Sequence, residues 1–209
     1  MKSKLASIVT ALVFTTVVSA NAANPKVKFE TTSGVIIVEL NAKAAPKTVE
    51  NFLQYVKEGH YNGTVFHRVI KGFMIQGGGM KADLSEKPTR PPVANEADNG
   101  LKNEIGTIAM ARTMDPNSAT AQFFINTVNN VGLNFRSKDA EGWGYCVFGK
   151  VVGGMATVSA IENAPTKDAG MYQNVPVAPI EITKATIMEA APVAPKAATV
   201  PASKDSTKK

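Results

Sequence analysis

The segment from Phe66 to Gly79 carries the residues of this sequence that are best placed to do chemistry. Alternation of side chains from Val65 to Ile70 predicts a strand that places Arg68 on the same face as two apolar side chains. Such an arginine can be a surface residue whose stem lies along the protein while its guanidinium stays in water. It can also be a cation that is held over an apolar surface in order to act on a ligand.

The residues near Arg68 favour a role in ligand binding. Phe73, Met74 and Gln76 follow after one turn, and the segment 122–125 adds a second amide and two aromatic rings. Together these side chains would form an apolar pocket with a guanidinium and two carboxamides at its rim. A prolyl residue within a peptide fits such a pocket, because it joins a small apolar ring to a polar amide backbone.

Several other enzyme classes need residues that this sequence lacks. It has no G-x-S-x-G motif, and the glycines at 77–79 lead into Met80-Lys81-Ala82 rather than into the Lys-Ser or Lys-Thr of a phosphate-binding loop. The pocket segments contain no pair of carboxylates for glycosidase chemistry. With two histidines and a single cysteine, neither a Cys–His pair nor a metal cluster is expected, and Cys146 is predicted to be a small buried hydrophobe. No metal and no cofactor are therefore expected.

Both ends of the chain differ in composition from the part between them. Lys2 and Lys4 precede an uncharged run at 5–18, and Ala20-Asn21-Ala22 supplies the small residues that a signal peptidase recognises. That run is too short to span about 30 Å of hydrocarbon comfortably, so residues 1–22 are predicted to be a signal peptide. Residues 190–209, rich in Ala, Pro and Lys, are predicted to be a disordered tail. The folded domain is expected over 23–189, in the periplasm and free of the membrane after cleavage.

The basic residues are concentrated at the two ends of the chain. The whole sequence has a formal charge of +6, but two lysines precede residue 23 and the tail holds four lysines and one aspartate, which leaves about +1 on residues 23–189. A nucleic-acid partner is not expected, because it would need a basic patch on the folded domain. A domain of this length can bury a core of its own, and no long apolar element suggests a dimer, so a monomer is predicted.

The remaining elements must position the pocket segments. A helix is predicted from Pro46 to about Gly59, because Pro fits the first helical position, apolar residues recur at helical spacing and Gly can end the helix. The other predicted elements are strands at 27–31, 35–40, 105–111, 121–128, 145–152 and 179–188, a helix at 155–163 and a surface loop at 81–99. Strands outnumber helices without alternating with them, which favours an antiparallel barrel or sandwich with two helices over its open ends.

Five motifs resemble the cyclophilin-type peptidyl-prolyl isomerases, and most of all their exported bacterial members. They occur in the order and with the spacing of that family over roughly Val27 to Met188. The motifs are F-H-R-V-I at 66–70, F-M-I-Q-G at 73–77, M-A at 110–111, Q-F-F-I at 122–125 and V-F-G-K-V at 147–151. The resemblance implies a mainly β fold, namely a closed eight-stranded antiparallel barrel capped by two α-helices.

The resemblance also implies roles for individual residues. Arg68 corresponds to the catalytic arginine, and Gln76 and Gln122 correspond to the amides that hold the substrate backbone. The implied catalytic residues are Arg68, Gln76 and His67, and the implied substrate-binding residues are Phe73, Met74, Ala111, Arg112, Gln122, Phe124, Leu133 and Tyr145. Of the latter group, the four apolar residues at 73, 74, 124 and 133 would form the wall of the proline pocket.

Three positions depart from the family pattern. Arg112 stands where many relatives have Asn, Tyr145 where the eukaryotic members have His, and Gly132 where they have Trp. A tyrosine hydroxyl can replace an imidazole donor. In drug-sensitive members the tryptophan donates a hydrogen bond to cyclosporin, so poor inhibition is expected here. An insertion between residues 127 and 141 would instead let Trp143 take the vacant place.

The implied reaction is rotation about X–Pro peptide bonds during the folding of exported proteins. The barrier is about 18 to 20 kcal/mol because the nitrogen lone pair is delocalised into the carbonyl, and lowering it needs no acid, base or nucleophile. Arg68 would donate a hydrogen bond to the prolyl nitrogen in the twisted state. The expected partners are proline-containing segments of unfolded or flexible exported proteins. An exported chaperone that binds such segments without accelerating rotation is the alternative, although Arg68 and Gln76 argue against it.

Overall fold

The computed structural model of the protein describes residues 24–188. The predicted signal peptide at 1–22 and the predicted tail at 190–209 lie outside these residues. Within them, no helix is both long enough and apolar enough to cross a membrane.

One antiparallel sheet forms most of the structure, and it is strongly curled. In the order of their hydrogen-bonded neighbours, its strands are β3 (Thr64–Val65), β11 (Glu181–Met188), β1 (Lys26–Thr31), β2 (Gly34–Leu40), β8 (Val147–Gly153), β6 (Thr107–Met110), β7 (Phe123–Asn126), β5 (Met74–Gly77) and β4 (Arg68–Ile70). With the two helices given below, this arrangement confirms the mainly β fold.

The expectation of a closed, eight-stranded barrel is wrong. The sheet has nine strands, and it is open because its edge strands β3 and β4 are not neighbours. The predicted strand at 65–70 is divided, since the chain leaves β3 at Val65 and starts β4 only at Arg68. Between them, the N–H of Phe66 donates to the carbonyl oxygen of Ile180 (2.9 Å), and the Phe66 ring is buried in the core. Arg68 therefore shares its face with Ile70 but not with Phe66.

Alternate side chains of the sheet point into one large hydrophobic core. Phe29 of β1, Phe123 of β7 and Phe148 of β8 are each 0% exposed. The rings of Phe29 and Phe123 stack at 5.3 Å, and Phe52 lies 5.0 Å from Phe148. Aromatic pairs of this kind contribute about 0.5 to 1.5 kcal/mol beyond the burial of their area. The core side chains thus stabilise the sheet from one face, and the opposite face is available for a site.

Two helices cover the sheet where the sequence predicts them. Helix α1 (Pro46–Lys57) lies against β11, and helix α2 (Met155–Glu162) lies against β2 and β5. The first turn of α1 donates from the N–H of Thr48 to the Glu96 carboxylate at 2.8 Å. A carboxylate stabilises this end of a helix because the helix dipole is positive there. Gly59, at a φ of +67°, follows the C-terminal end of α1, as expected.

The predictions for residues 81–99 and for Cys146 are both confirmed. The segment 81–99 contains isolated bridges and one short 3-10 turn at Ala97–Asn99, so it is a loop. Cys146 is 4% exposed, and burial raises the pKa of its thiol to about 11. The thiol is therefore neutral at physiological pH and behaves as an apolar side chain.

A two-stranded hairpin is present that the sequence does not predict. Its strands are β9 (Thr166–Ala169) and β10 (Tyr172–Pro176), and β10 packs against β4. Most residues of β9 are exposed, so this segment lacks the apolar alternation that marks a half-buried strand. The hairpin extends the structure beside the strand that carries Arg68.

Candidate active site

A cavity of about 430 Å³ lies over strands β4 to β7. All eleven residues predicted for the site line it, so the structure brings together segments that are up to 78 positions apart in sequence. Its lining residues are His67, Arg68, Phe73, Met74, Gln76, Met80, Ala111, Arg112, Gln122, Phe124, Leu133, Tyr145, Met171, Tyr172 and Gln173.

The alternation of side chains along the strands explains why the cavity lies on the face of the sheet opposite the main core. In β7, Phe123 and Ile125 point into the main core, whereas Phe124 belongs to a second, smaller apolar cluster. In β5, Ile75 belongs to the core and Met74 to the second cluster. Successive side chains of a strand point to opposite faces, so the same strands that close the core also build the cavity floor. Phe124 is 4% exposed and Met74 is 2% exposed.

Arg68 is exposed at the rim of this apolar floor. It pairs with Gln76 across β4 and β5, and its Nη1 is 3.5 Å from Oε1 of Gln76. Nε2 of Gln76 in turn donates to Oε1 of Gln122 at 2.9 Å. In the part of the chain that the structure describes, no carboxylate forms a salt bridge with Arg68. The guanidinium is therefore oriented by a neutral amide and keeps its positive charge for a ligand.

The glycine at position 79 makes room for the second amide. A Cβ atom on Gly79 would lie 2.4 Å from Cγ of Gln122, which is closer than two carbon atoms approach. The side chain of Gln122 consequently lies directly against the backbone of residue 79. This contact accounts for at least one of the three consecutive glycines after Gln76.

Two of the positions that depart from the family pattern contact each other. The guanidinium carbon of Arg112 lies 4.5 Å from the centroid of the Tyr145 ring, and its Nε donates to the carbonyl oxygen of Gly144 at 2.9 Å. The Tyr145 ring packs edge-on against Phe124, with centroids 5.7 Å apart. A cation over an aromatic face is attracted by the ring quadrupole. Arg112 and Tyr145 therefore form one side of the cavity together.

His67 lies beside Arg68 but is almost completely buried, with 4% of its surface exposed. Burial, with a smaller contribution from the positive charge of Arg68, lowers the pKa of the imidazole to about 4. The ring is therefore neutral at physiological pH. Residues 24–188 contain no cluster of three or more His, Cys, Asp or Glu side chains that could hold a metal ion.

The position at which the resemblance leads one to look for a tryptophan is open. Gly132 is exposed in a 3-10 turn at Val131–Leu133, and no atom lies within 4 Å of the place where a Cβ would be. Trp143 does not line the cavity; its ring packs against Phe135 at 5.6 Å and under the amine of Lys138. Of the two alternatives for this position, the structure favours the open one, because Trp143 packs against Phe135 outside the cavity.

Four lining residues escape the sequence prediction, namely Met80, Met171, Tyr172 and Gln173. The last three belong to the β9–β10 hairpin. The only sequence signal for that hairpin is Gly170, which lies between two short polar segments at a φ of +62°. A glycine in such a position indicates a tight turn, but it does not indicate which surface the turn faces.

Residues 26–187 match the protein family described as cyclophilin type peptidyl-prolyl cis-trans isomerase/CLD. The chain is 56% identical over 162 residues to a peptidyl-prolyl cis-trans isomerase of Streptomyces antibioticus, covering 78% of this chain and 98% of that protein. It is 53% identical over 163 residues to peptidyl-prolyl cis-trans isomerase B of Escherichia coli, covering 78% and 99%. It is 50% identical over 190 residues to peptidyl-prolyl cis-trans isomerase A of Dickeya dadantii, covering 90% and 98%.

The fold is similar to that of a cyclophilin type peptidyl-prolyl cis-trans isomerase of Cryptosporidium parvum. The TM-score is 0.66 with 29% sequence identity, and the match covers 80% of this chain and 99% of that one. A second structure of the Cryptosporidium protein, in the presence of the dipeptide Ala-Pro, gives a TM-score of 0.65 and 30% identity. The family match extends over almost all of the described residues, and the fold agrees with it. The chain belongs to the cyclophilin-type peptidyl-prolyl cis-trans isomerase family.

Proposed function

We propose that this protein accelerates rotation about X–Pro bonds by stabilising the twisted amide, without covalent chemistry. The observation that carries this proposal is the guanidinium of Arg68, which is exposed over an apolar floor, free of carboxylate partners among the described residues and oriented by Gln76. In the planar amide, the prolyl nitrogen is a poor acceptor because its lone pair is delocalised. Rotation localises this lone pair, so an N–H of Arg68 binds the twisted state more strongly than either planar state.

The apolar floor holds the prolyl ring while the preceding residue turns. Phe73, Met74, Phe124 and Leu133 supply a surface with no hydrogen-bonding groups, which suits the pyrrolidine ring. The carboxamides of Gln76 and Gln122 line the cavity on the same side as Arg68, where they can form hydrogen bonds with a peptide backbone. The prolyl ring is thus held on one side of the rotating bond, and the guanidinium of Arg68 acts on the prolyl nitrogen.

The proposed substrates are proline-containing segments of unfolded or flexible exported proteins. Support for proline-containing peptides comes from the Cryptosporidium relative, whose structure was determined in the presence of Ala-Pro. Support for export comes from the sequence alone, where Lys2 and Lys4 precede an uncharged run and Ala20-Asn21-Ala22 follows it. Fusion of residues 1–22 to a reporter enzyme that is active only outside the cytoplasm tests export, and an inactive fusion that stays uncleaved contradicts it.

A proline-isomerisation assay on a short peptide tests the reaction and separates it from mere binding. Arg68→Ala is expected to lower kcat/KM by a factor of about 10² to 10³, the usual cost of removing one transition-state donor. Arg68→Lys keeps the charge but not the planar fork, so it should recover only part of the loss. Equal turnover by Arg68→Ala and the parent would exclude this mechanism. A parent that binds the peptide but leaves the rotation rate unchanged would instead identify a chaperone without isomerase activity.

A further inference from the structure

The β9–β10 hairpin forms a wall of the cavity that takes no part in the mechanism above. Three consecutive residues at its tip, Met171, Tyr172 and Gln173, line the cavity next to Arg68, because β10 packs against β4. Strand order places β6 three strands away from β4, so Ala111 and Arg112 line the opposite side. A peptide that occupies the cavity would therefore lie between the hairpin and Arg112.

The turn of the hairpin exposes a large apolar side chain at the edge of the cavity. Ala169 pairs with Tyr172, so the loop is the two-residue turn Gly170-Met171. Gly170, at a φ of +62°, is the first residue of that turn, where a positive φ is required. Met171 is 85% exposed. A methionine that exposed contributes little to folding, but it offers an apolar contact to a ligand.

A bulge in β10 changes the direction of the side chains beside the cavity. Three residue steps from Tyr172 to Val175 are paired with only two from Lys167 to Ala169, so β10 contains one extra residue. In a regular strand, neighbouring side chains would point to opposite faces, whereas here both Tyr172 and Gln173 line the cavity. Bulges are frequent next to active sites, where they redirect a side chain.

The bulge contains a backbone conformation that few residues other than glycine adopt. Asn174 has a φ of +58°, in the left-handed region, and its N–H donates to Oδ1 of Asp168 at 3.2 Å. Non-glycine residues in this region are uncommon and cluster at functional sites, and Asn is among the few that adopt it readily. Beyond the bulge, Val175 and Pro176 are buried, so the strand is anchored in the domain while its tip faces the cavity.

We infer that this hairpin tip contacts the substrate residues that flank the X–Pro bond and that it favours apolar side chains there. The inference rests on the proposed isomerase function and adds a substrate preference to it. Met171 has a flexible, polarisable thioether, which adapts to apolar groups of different shape. Gln173 has both a donor and an acceptor for the peptide backbone of the same segment. A preference of this kind would direct the enzyme to unfolded segments, because these expose apolar residues next to proline.

Two peptide series with a common Ala-Pro centre test the inference. One varies the residue before this centre and the other varies the residue after it, each with Leu, Phe, Ser or Asp. The parent is expected to turn over the Leu and Phe peptides with a kcat/KM about three- to tenfold above that of the Ser and Asp peptides in at least one series. Met171→Ala should bring this ratio close to one by raising KM for the Leu and Phe peptides. It should leave kcat unchanged, since the contact is equal in the planar and twisted states.

Matched variants distinguish the loss of the Met171 contact from general effects of substitution on activity. Met114→Ala removes a methionine that is 89% exposed outside the cavity, and it should keep the parent's ratio. Asn174→Gly retains the positive φ and should keep the ratio, whereas Asn174→Val disfavours that backbone and should lower it. An unchanged ratio in Met171→Ala and Asn174→Val overturns the inference, even when turnover of the Ala-Pro centre is normal. A parent that turns over none of the peptides contradicts the isomerase function itself.

Discussion

Gln76 lies directly opposite Arg68 in the antiparallel pairing of β4 and β5, with its Oε1 3.5 Å from Nη1 of the arginine. The same carboxamide donates from Nε2 to Gln122 at 2.9 Å. An amide has an acceptor on one side and a donor on the other, so it can orient the guanidinium and be fixed by a neighbour at the same time. A carboxylate would orient Arg68 more strongly, but it would also neutralise the charge that the twisted amide needs.

Gln76→Glu tests this relationship. The new carboxylate would form an ion pair with Arg68 and draw the guanidinium away from the substrate, so kcat/KM should fall about ten- to hundredfold. Because the adjacent arginine lowers the pKa of the new carboxyl, the loss should persist from pH 8 to about pH 5. Turnover of a short Ala-Pro peptide across this pH range measures the effect, and thermal unfolding checks that the fold is retained. Turnover equal to that of the parent would show that the neutrality of residue 76 is unimportant.

Gly79→Ala tests the placement of the second amide. The added methyl group would lie 2.4 Å from Cγ of Gln122, so this side chain must move and the hydrogen bond to Gln76 should be lost. We expect turnover to fall by about tenfold, because the lost hydrogen bond contributes roughly 1 to 1.5 kcal/mol to the orientation of the two amides. Gly132→Ala is the matched control, because a methyl group there meets no atom within 4 Å. Equal activity of both alanine variants would show that Gln122 does not need this position.

The sequence predicts which apolar side chains lie together on the cavity floor, because its signals are local. Met74 and Gln76 stand two positions apart in one short strand, so alternation places both on the same face, and Phe73 directly precedes that strand. The open edge of the sheet is not predictable in this way. It depends on the hydrogen bond from Phe66 to Ile180, a contact between residues 114 positions apart. The hairpin wall is missed for another reason, since β9 is mostly exposed and polar and neither strand of the hairpin shows apolar alternation.

The buried imidazole of His67 should make stability depend on pH. Its pKa is about 4 in the folded protein, whereas an unfolded histidine has a pKa of about 6.5, so only the unfolded chain binds this proton between those values. The free energy of unfolding should therefore fall as pH is lowered from about 6.5 to about 4, by roughly 3 kcal/mol from this group. Urea unfolding at pH 4.5, 5.5 and 7 measures the slope.

His67→Gln should flatten most of that slope, because glutamine does not titrate. His60 is the comparison: burial also lowers its pKa, but it is only partly buried, so His60→Gln should flatten the slope less. A His67→Gln variant with the slope of the parent would mean that other groups cause the acid sensitivity.

The last prediction concerns Gly132, which the resemblance to the family places where drug-sensitive members have tryptophan. The position is exposed, its surroundings are empty to 4 Å, and its backbone does not have a positive φ, so a large side chain is accepted without strain. It precedes Leu133, which lines the cavity, and a tryptophan there would extend the wall on that side. Cyclosporin should therefore inhibit the parent poorly.

Gly132→Trp is expected to increase the affinity for cyclosporin by about ten- to thirtyfold. A tryptophan offers 150 to 250 Å² of side chain, of which about a third would face the ligand, and it adds a hydrogen-bond donor. Turnover of a short proline peptide should change less than threefold, because the ring is held by Phe73, Met74, Phe124 and Leu133, which remain in place. Titration of cyclosporin against the parent, Gly132→Ala and Gly132→Trp decides the matter. Tight inhibition of the parent would mean that another aromatic side chain that lines the cavity, such as Tyr145, supplies the missing contact.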